Sequence, residues 1–143
     1  MEDRPDYRPW QPPPFAVAVL DSDETLADSL CQALRDQGFA ATAFYDIDVL
    51  AQAISESRFD AYVLDYLADW QPNSPRLEEI VAAILAGTPD APVFVLGNQT
   101  RPENVEPLAG ILMRHRVRYL VRPLATPYLV KRIGEAIAKR AGL

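Results

Sequence analysis

The chain has 143 residues, 49% of them apolar and 24% charged, a composition that fits one folded domain and excludes a disordered or fibrous protein. No apolar run approaches the ~20 residues that cross a bilayer, and the single cysteine, Cys31, excludes an internal disulfide and points to a reducing, cytoplasmic setting. The net charge of −6 argues against direct nucleic-acid binding but is uneven: residues 1–100 hold 5 basic and 17 acidic side chains, residues 101–143 hold 9 basic and 3 acidic.

Residues 1–14, MEDRPDYRPWQPPP, contain five prolines and little that can pack, so they read as an extended tail ahead of a domain over 15–143. From Phe15 onward, short apolar runs alternate with helical periods. The runs are Phe15–Leu20, Ala40–Tyr45, Ala61–Leu64, Val93–Leu96 and Val117–Val121, each four to six residues long and several rich in valine, as strands covered on both faces should be. After the first, Leu26, Leu30, Ala33 and Leu34 form one helical stripe that Gly38 ends. Leu50, Ala53 and Ile54 mark a second helix, and Leu77, Ile80, Val81, Ile84 and Leu85 a third. Asn104 with Pro107 predicts the start of a fourth helix. Thr126 as cap and Pro127 in the first turn predict a fifth, with Leu129, Ile133, Ala136 and Ile137 facing inward.

Five strands alternating with five helices predict an α/β fold, a doubly wound parallel sheet with helices on both faces. Ligand sites in such sheets lie beyond the carboxyl ends of the strands. The strands end in Asp21-Ser22-Asp23-Glu24, Asp65, Gly97-Asn98 and Arg122-Pro123. With strand order 2-1-3-4-5, Asp21 and Asp65 converge. Two carboxylates about 4 Å apart repel by roughly 4 kcal/mol at an effective dielectric near 20. Arg122 or a divalent magnesium ion could offset that repulsion. Acids also sit at strand ends simply to cap the next helix.

VLDSDE after the first strand, DAYVLDY at the third, APVFVLGN at the fourth and YLVRP at the fifth resemble, in order and spacing, the receiver domain of bacterial response regulators. The resemblance covers residues 15–140 and implies a flavodoxin-like three-layer sandwich. It places Asp65 at the phosphoacceptor position, Asp21 and Asp65 at a magnesium ion, Arg122 at a lysine position, Tyr119 at an aromatic switch position and Pro123 at a proline whose preceding bond is usually cis. A histidine kinase or phosphotransfer protein would be the phosphoryl donor. Three positions depart from the pattern: Ser22 replaces a second acid, Gly97 replaces a hydroxyl residue, and Arg122 offers a planar fork where a compact ammonium is usual. Trp70, beyond Asp65, could cover the pocket.

The same departures suit a phosphorylation-independent module that binds a partner or a second copy. For that role the basic surface of the fourth helix, fifth strand and fifth helix would serve, through Arg114, Arg118, Lys131 and Arg132. Asp21-Ser22-Asp23-Glu24-Thr25 also resembles the DxDxT opening of haloacid dehalogenase-like phosphatases, with Asp21 as nucleophile and Asp23 as general acid, but no late acidic cluster follows. The reading is therefore not an enzyme. His115 reads as part of a solvated basic stretch and Cys31 as a small apolar residue on the first helix.

Overall fold

The computed structural model describes residues 14–66, 76–104 and 108–142. The tail expected over residues 1–14 lies outside them except for Pro14, and Trp70 lies outside them altogether. The elements run β1 (Ala16–Leu20), α1 (Glu24–Asp36), β2 (Ala40–Phe44), α2 (Ile47–Glu56), β3 (Ala61–Asp65), α3 (Leu77–Gly87), β4 (Val93–Gly97), α4 (Leu108–Arg114), β5 (Arg118–Val121) and α5 (Thr126–Ala141). All strand pairs are parallel and the order is β2-β1-β3-β4-β5, as the sequence pattern predicts.

Strand alternation divides one sheet between two cores. Ala18, Leu20, Tyr62, Leu64, Val93 and Val95 face one side, where they meet Leu50 of α2, Ile80 and Ile84 of α3, and Leu108 and Ile111 of α4. Val17, Val19, Ala61, Val63, Phe94 and Leu96 face the other, against Leu30 and Leu34 of α1 and Leu129, Ile133 and Ile137 of α5. Every residue of β3 and β4 is buried. Burying a leucine, valine or phenylalanine side chain contributes about 1.5–3 kcal/mol, so these central strands are the rigid platform on which the strand ends are held.

The helix ends follow local chemistry. Asp23 caps α1, its side chain accepting the Leu26 N–H at 3.2 Å, and Asp46 likewise accepts the Asp48 N–H at the start of α2. Gly38 closes α1 with φ of 94°, a conformation open to glycine at little cost. The Glu79 carboxylate reaches back to the Arg76 N–H at 2.8 Å before α3.

Three expectations shift. The cap of α5 is Ala125, so Thr126 is already inside the helix and no side chain caps it. Between Arg101 and α4 the chain forms a 3-10 turn at Pro102–Asn104, so Asn104 belongs to a separate turn, and Pro107 lies outside the described residues. Leu26 is 50% exposed rather than part of the buried stripe. It lies in the first turn of α1, above the sheet edge, where it lines a cleft of about 270 Å³ with Val63, Leu96 and Leu129.

Candidate functional site: an arginine between two aspartates

β1 and β3 are adjacent, and their carboxyl ends bring Asp21 and Asp65 to one place. Asp21 is fixed from both sides of its backbone and side chain. Its N–H donates to the Phe44 carbonyl at 3.0 Å, and its Oδ1 accepts the Asp23 N–H at 2.9 Å in a turn closed two residues on. Arg122 enters from the far end of the sheet. Its N–H donates to the Gly97 carbonyl at 2.8 Å, extending the β4–β5 pairing by one step, and the Arg122–Pro123 peptide is cis.

The guanidinium then splits between the acids. Nη1 donates to Asp65 Oδ1 at 2.8 Å and Nη2 to Asp21 Oδ2 at 2.8 Å. The Asp21 and Asp65 side chains are only 8% and 7% exposed, against 26% for Arg122. Charge-assisted bonds in so little solvent are the strong kind, and a planar fork can serve two carboxylates where an ammonium is a single point of charge. The three side chains carry a formal net charge of −1, which removes most of the repulsion that bare aspartates would meet.

The neighbouring sequence candidates go elsewhere. Ser22 is exposed, and the Asp23 carboxylate is committed to the backbone of α1, so neither adds a ligand to the pair. Gly97 sits at the end of β4 with the Tyr119 ring folded over it: a Cβ there would meet the Tyr119 hydroxyl at 2.6 Å. That hydroxyl accepts the Gln99 N–H at 2.9 Å.

The resemblance to receivers implies a magnesium ion at this end of the sheet, and these residues do not fit one in the arrangement seen. Magnesium takes hard oxygen ligands in a tight octahedron at about 2.0–2.1 Å. Here one oxygen of each aspartate points at a cation the chain already supplies, and the other oxygen of Asp21 holds a backbone N–H. Among the described residues no group of three or more His, Cys, Asp or Glu side chains could hold a metal.

The basic residues of the expected interface each have definite neighbours. Arg114 pairs with Glu78 of α3, and His115 Nε2 lies 3.5 Å from the same carboxylate, so His115 belongs to a half-buried cluster rather than to a solvated stretch. Arg118 lies over the Phe94 ring, 5.5 Å from its centroid. Arg132 bonds the Tyr128 hydroxyl at 2.7 Å. Lys131 instead lines the groove between α1 and α5, with Asp36, Phe39 and Gly134. The helical spacing of 131 and 132 differs by one residue, about 100° of rotation, which is enough to separate them. Cys31 is fully buried, and that burial pushes its thiol up from the ordinary range. Among the described residues no helix is long and apolar enough to cross a membrane.

No protein-family model matches the chain. The chain is 32% identical over 128 residues to the transcriptional regulatory protein PrrA of Mycobacterium leprae, an alignment that takes in 88% of this chain and spans about half, 51%, of that relative's length. Among solved structures it is similar to the receiver domain of the Francisella response regulator 1452, with a TM-score of 0.71, 18% identity and coverage of 88% of this chain and 98% of that one. It is also similar to a CheY-like receiver domain protein from Methanospirillum hungatei, with a TM-score of 0.75, 14% identity and coverage of 90% and 98%. The strand order, the two aspartates and the Arg-Pro ending of β5 occupy in this chain the places that the sequence pattern assigns them. By fold and by sequence, the chain is a receiver domain of the response-regulator type.

Proposed function

We propose that this receiver domain works in two-component signalling as a binding module whose output does not depend on a phosphoryl-driven movement of Tyr119. The observation that carries this reading is the packing of Tyr119 over Gly97. With no side chain on Gly97, the tyrosine already fills the space at the end of β4, and its hydroxyl is tied to the Gln99 N–H. A hydroxyl at position 97 is what would pass a change at Asp65 on to the ring, and glycine has none. The module would then present one constant surface to a protein partner or to a second copy of itself. The α4–β5–α5 edge, with Arg114, Arg118 and Arg132, is the surface we assign to that contact, while Lys131 would serve only a partner that reaches the α1 side.

A second reading has its own support. The Asp65 carboxylate stands at the end of β3, held at 2.8 Å by the Arg122 guanidinium, and a carboxylate can act as a nucleophile toward phosphorus. In that reading Asp65 accepts a phosphoryl group from a histidine kinase or phosphotransfer protein. A new carboxylate-oxygen-to-phosphorus bond forms as the donor's phosphorus–nitrogen bond breaks.

Two measurements separate these readings. The domain is incubated with a small phosphodonor and, in parallel, with beryllofluoride. Intact mass and self-association by sedimentation are then followed, with Asp65→Asn as control. The binding-module reading expects sedimentation to stay the same whether or not the mass rises. A change in association that tracks a phosphoryl mass gain and disappears in Asp65→Asn would overturn it in favour of the second reading.

A further inference from the structure

We infer that Arg122 is the resident cation of the acidic pair, so that the domain excludes divalent metal from its pocket and would bind it only when Arg122 is withdrawn. The inference deepens the reading of Asp21, Asp65 and Arg122 as the receiver pocket and concerns only what occupies it.

Three observations carry it. The first is geometric: both terminal nitrogens of one guanidinium are used, each 2.8 Å from a different carboxylate. A metal ion held by Asp65 Oδ1 and Asp21 Oδ2 would have to stand where the guanidinium stands, and two cations cannot share those oxygens without strong repulsion. The second is the state of Asp21, whose remaining oxygen holds the Asp23 N–H at 2.9 Å. Turning that carboxylate toward a metal would open the loop that begins α1. The third is the shortage of replacements. Ser22 is neutral and exposed, and the Asp23 carboxylate caps α1, so among the described residues no third carboxylate joins the pair.

The energetic sign follows from burial. Removing one member of a buried, hydrogen-bonded charge set leaves the others uncompensated and is strongly unfavourable. A hydrated divalent ion must shed water and expel the guanidinium together, and magnesium gives up its water reluctantly.

The test uses metal binding alone, independent of phosphodonor chemistry. Manganese binding is followed by the electron paramagnetic resonance signal of the free ion, and magnesium binding by the shift in thermal midpoint. Wild type, Arg122→Lys, Arg122→Ala and Ser22→Asp are compared. We expect no saturable binding to wild type at millimolar metal and a gain of about tenfold or more on removing the fork in Arg122→Ala. A smaller gain in the same direction is expected in Arg122→Lys. Ser22→Asp with Arg122 retained should stay close to wild type. The gain in Arg122→Lys should be lost when Asp65→Asn is added, which places the metal on the pair. If Arg122→Ala does not fold, Arg122→Lys carries the comparison because it keeps the charge and most of the stem.

Saturable binding to wild type as tight as to the arginine variants would overturn the inference. So would a tenfold gain in Ser22→Asp alone, which would assign the exclusion to a missing acid rather than to Arg122. Failure of the inference in either way leaves the binding-module reading to stand or fall on its own mass and sedimentation results.

Discussion

The Tyr119 hydroxyl occupies the space that a side chain on Gly97 would need: an ideal Cβ at position 97 would lie 2.6 Å from it. What crowds that position is the far end of a rotatable ring, so a larger residue should displace the tyrosine and leave the strand in place. Gly97→Ala and Gly97→Thr are therefore expected to fold, with Tyr119 turned outward and its bond to the Gln99 N–H lost. The cost should be about 0.5–1.5 kcal/mol, one hydrogen bond's net worth, read by urea unfolding. Tyr119→Phe loses the same bond. The double variant should accordingly cost no more than Gly97→Ala alone, and simple additivity of the two would count against the packing described.

Asp23 and Asp21 stand two residues apart and do different work, which a pair of substitutions should reveal. Asp23→Ala removes the cap of α1 and is expected to destabilise the domain by about 0.5–2 kcal/mol. It should leave the Asp21–Arg122–Asp65 set intact, so the chemical shifts of the Arg122 side chain should hold. Asp21→Ala should move those shifts and cost more, about 3–5 kcal/mol, because it breaks a buried charged set. Equal effects from the two variants would argue that both acids belong to one site.

Much of this arrangement is legible in the sequence. Valine-rich runs of four to six residues set the strands, and alternation with amphipathic stripes set a parallel sheet. That sheet brings Asp21, Asp65 and Arg122 to one edge. What the linear pattern does not carry is the choice each polar atom makes among nearby partners. Asp23 could aim at the pocket or at the Leu26 N–H, and only the turn geometry after β1 decides. His115 reads as solvated until α3 brings Glu78 beside it, a neighbour 37 positions away in sequence. The packing of Tyr119 on Gly97 joins two strands through a missing side chain, and periodicity registers side chains that are present. The groove that Lys131 shares with α1 is likewise silent in the sequence, because net charge along a segment has no direction around the helix.

Phe94 joins the core on the α1 and α5 face of the sheet to the Arg118 side chain. It is fully buried on β4, faces α1 and α5, and lies under the Arg118 guanidinium. Phe94→Ala should cost about 3–5 kcal/mol through the cavity it leaves, whereas Phe94→Leu should cost appreciably less. In thermal or urea unfolding, a loss under 1 kcal/mol for Phe94→Ala would show that α5 collapses onto the gap. The cation–π contact is a smaller contribution, about 0.5–1 kcal/mol at a site this close to solvent, so Arg118→Ala should be the milder change.

Stability should fall on the alkaline side, for two buried groups whose protons the fold retains. Burial pushes the Cys31 thiol up, and burial likewise pushes the Tyr62 phenol up. Below about pH 8.5, the ordinary thiol range, both folded and unfolded chains keep the Cys31 proton and its contribution is whole. As pH rises past that point the unfolded chain releases a proton the folded chain still holds, so unfolding gains and stability declines until the folded thiol also ionises. Tyr62 adds a second decline in the same direction above about pH 10. Urea unfolding at a series of pH values should show both. Cys31→Ala should flatten the first decline at the cost of a small cavity, and Tyr62→Phe should flatten the second. Tyr62→Phe should also lose, at every pH, the bond its hydroxyl accepts from the Phe59 N–H at 3.1 Å. A stability that holds level between pH 8 and 11 would mean that these two groups ionise in the folded chain as readily as in the unfolded one.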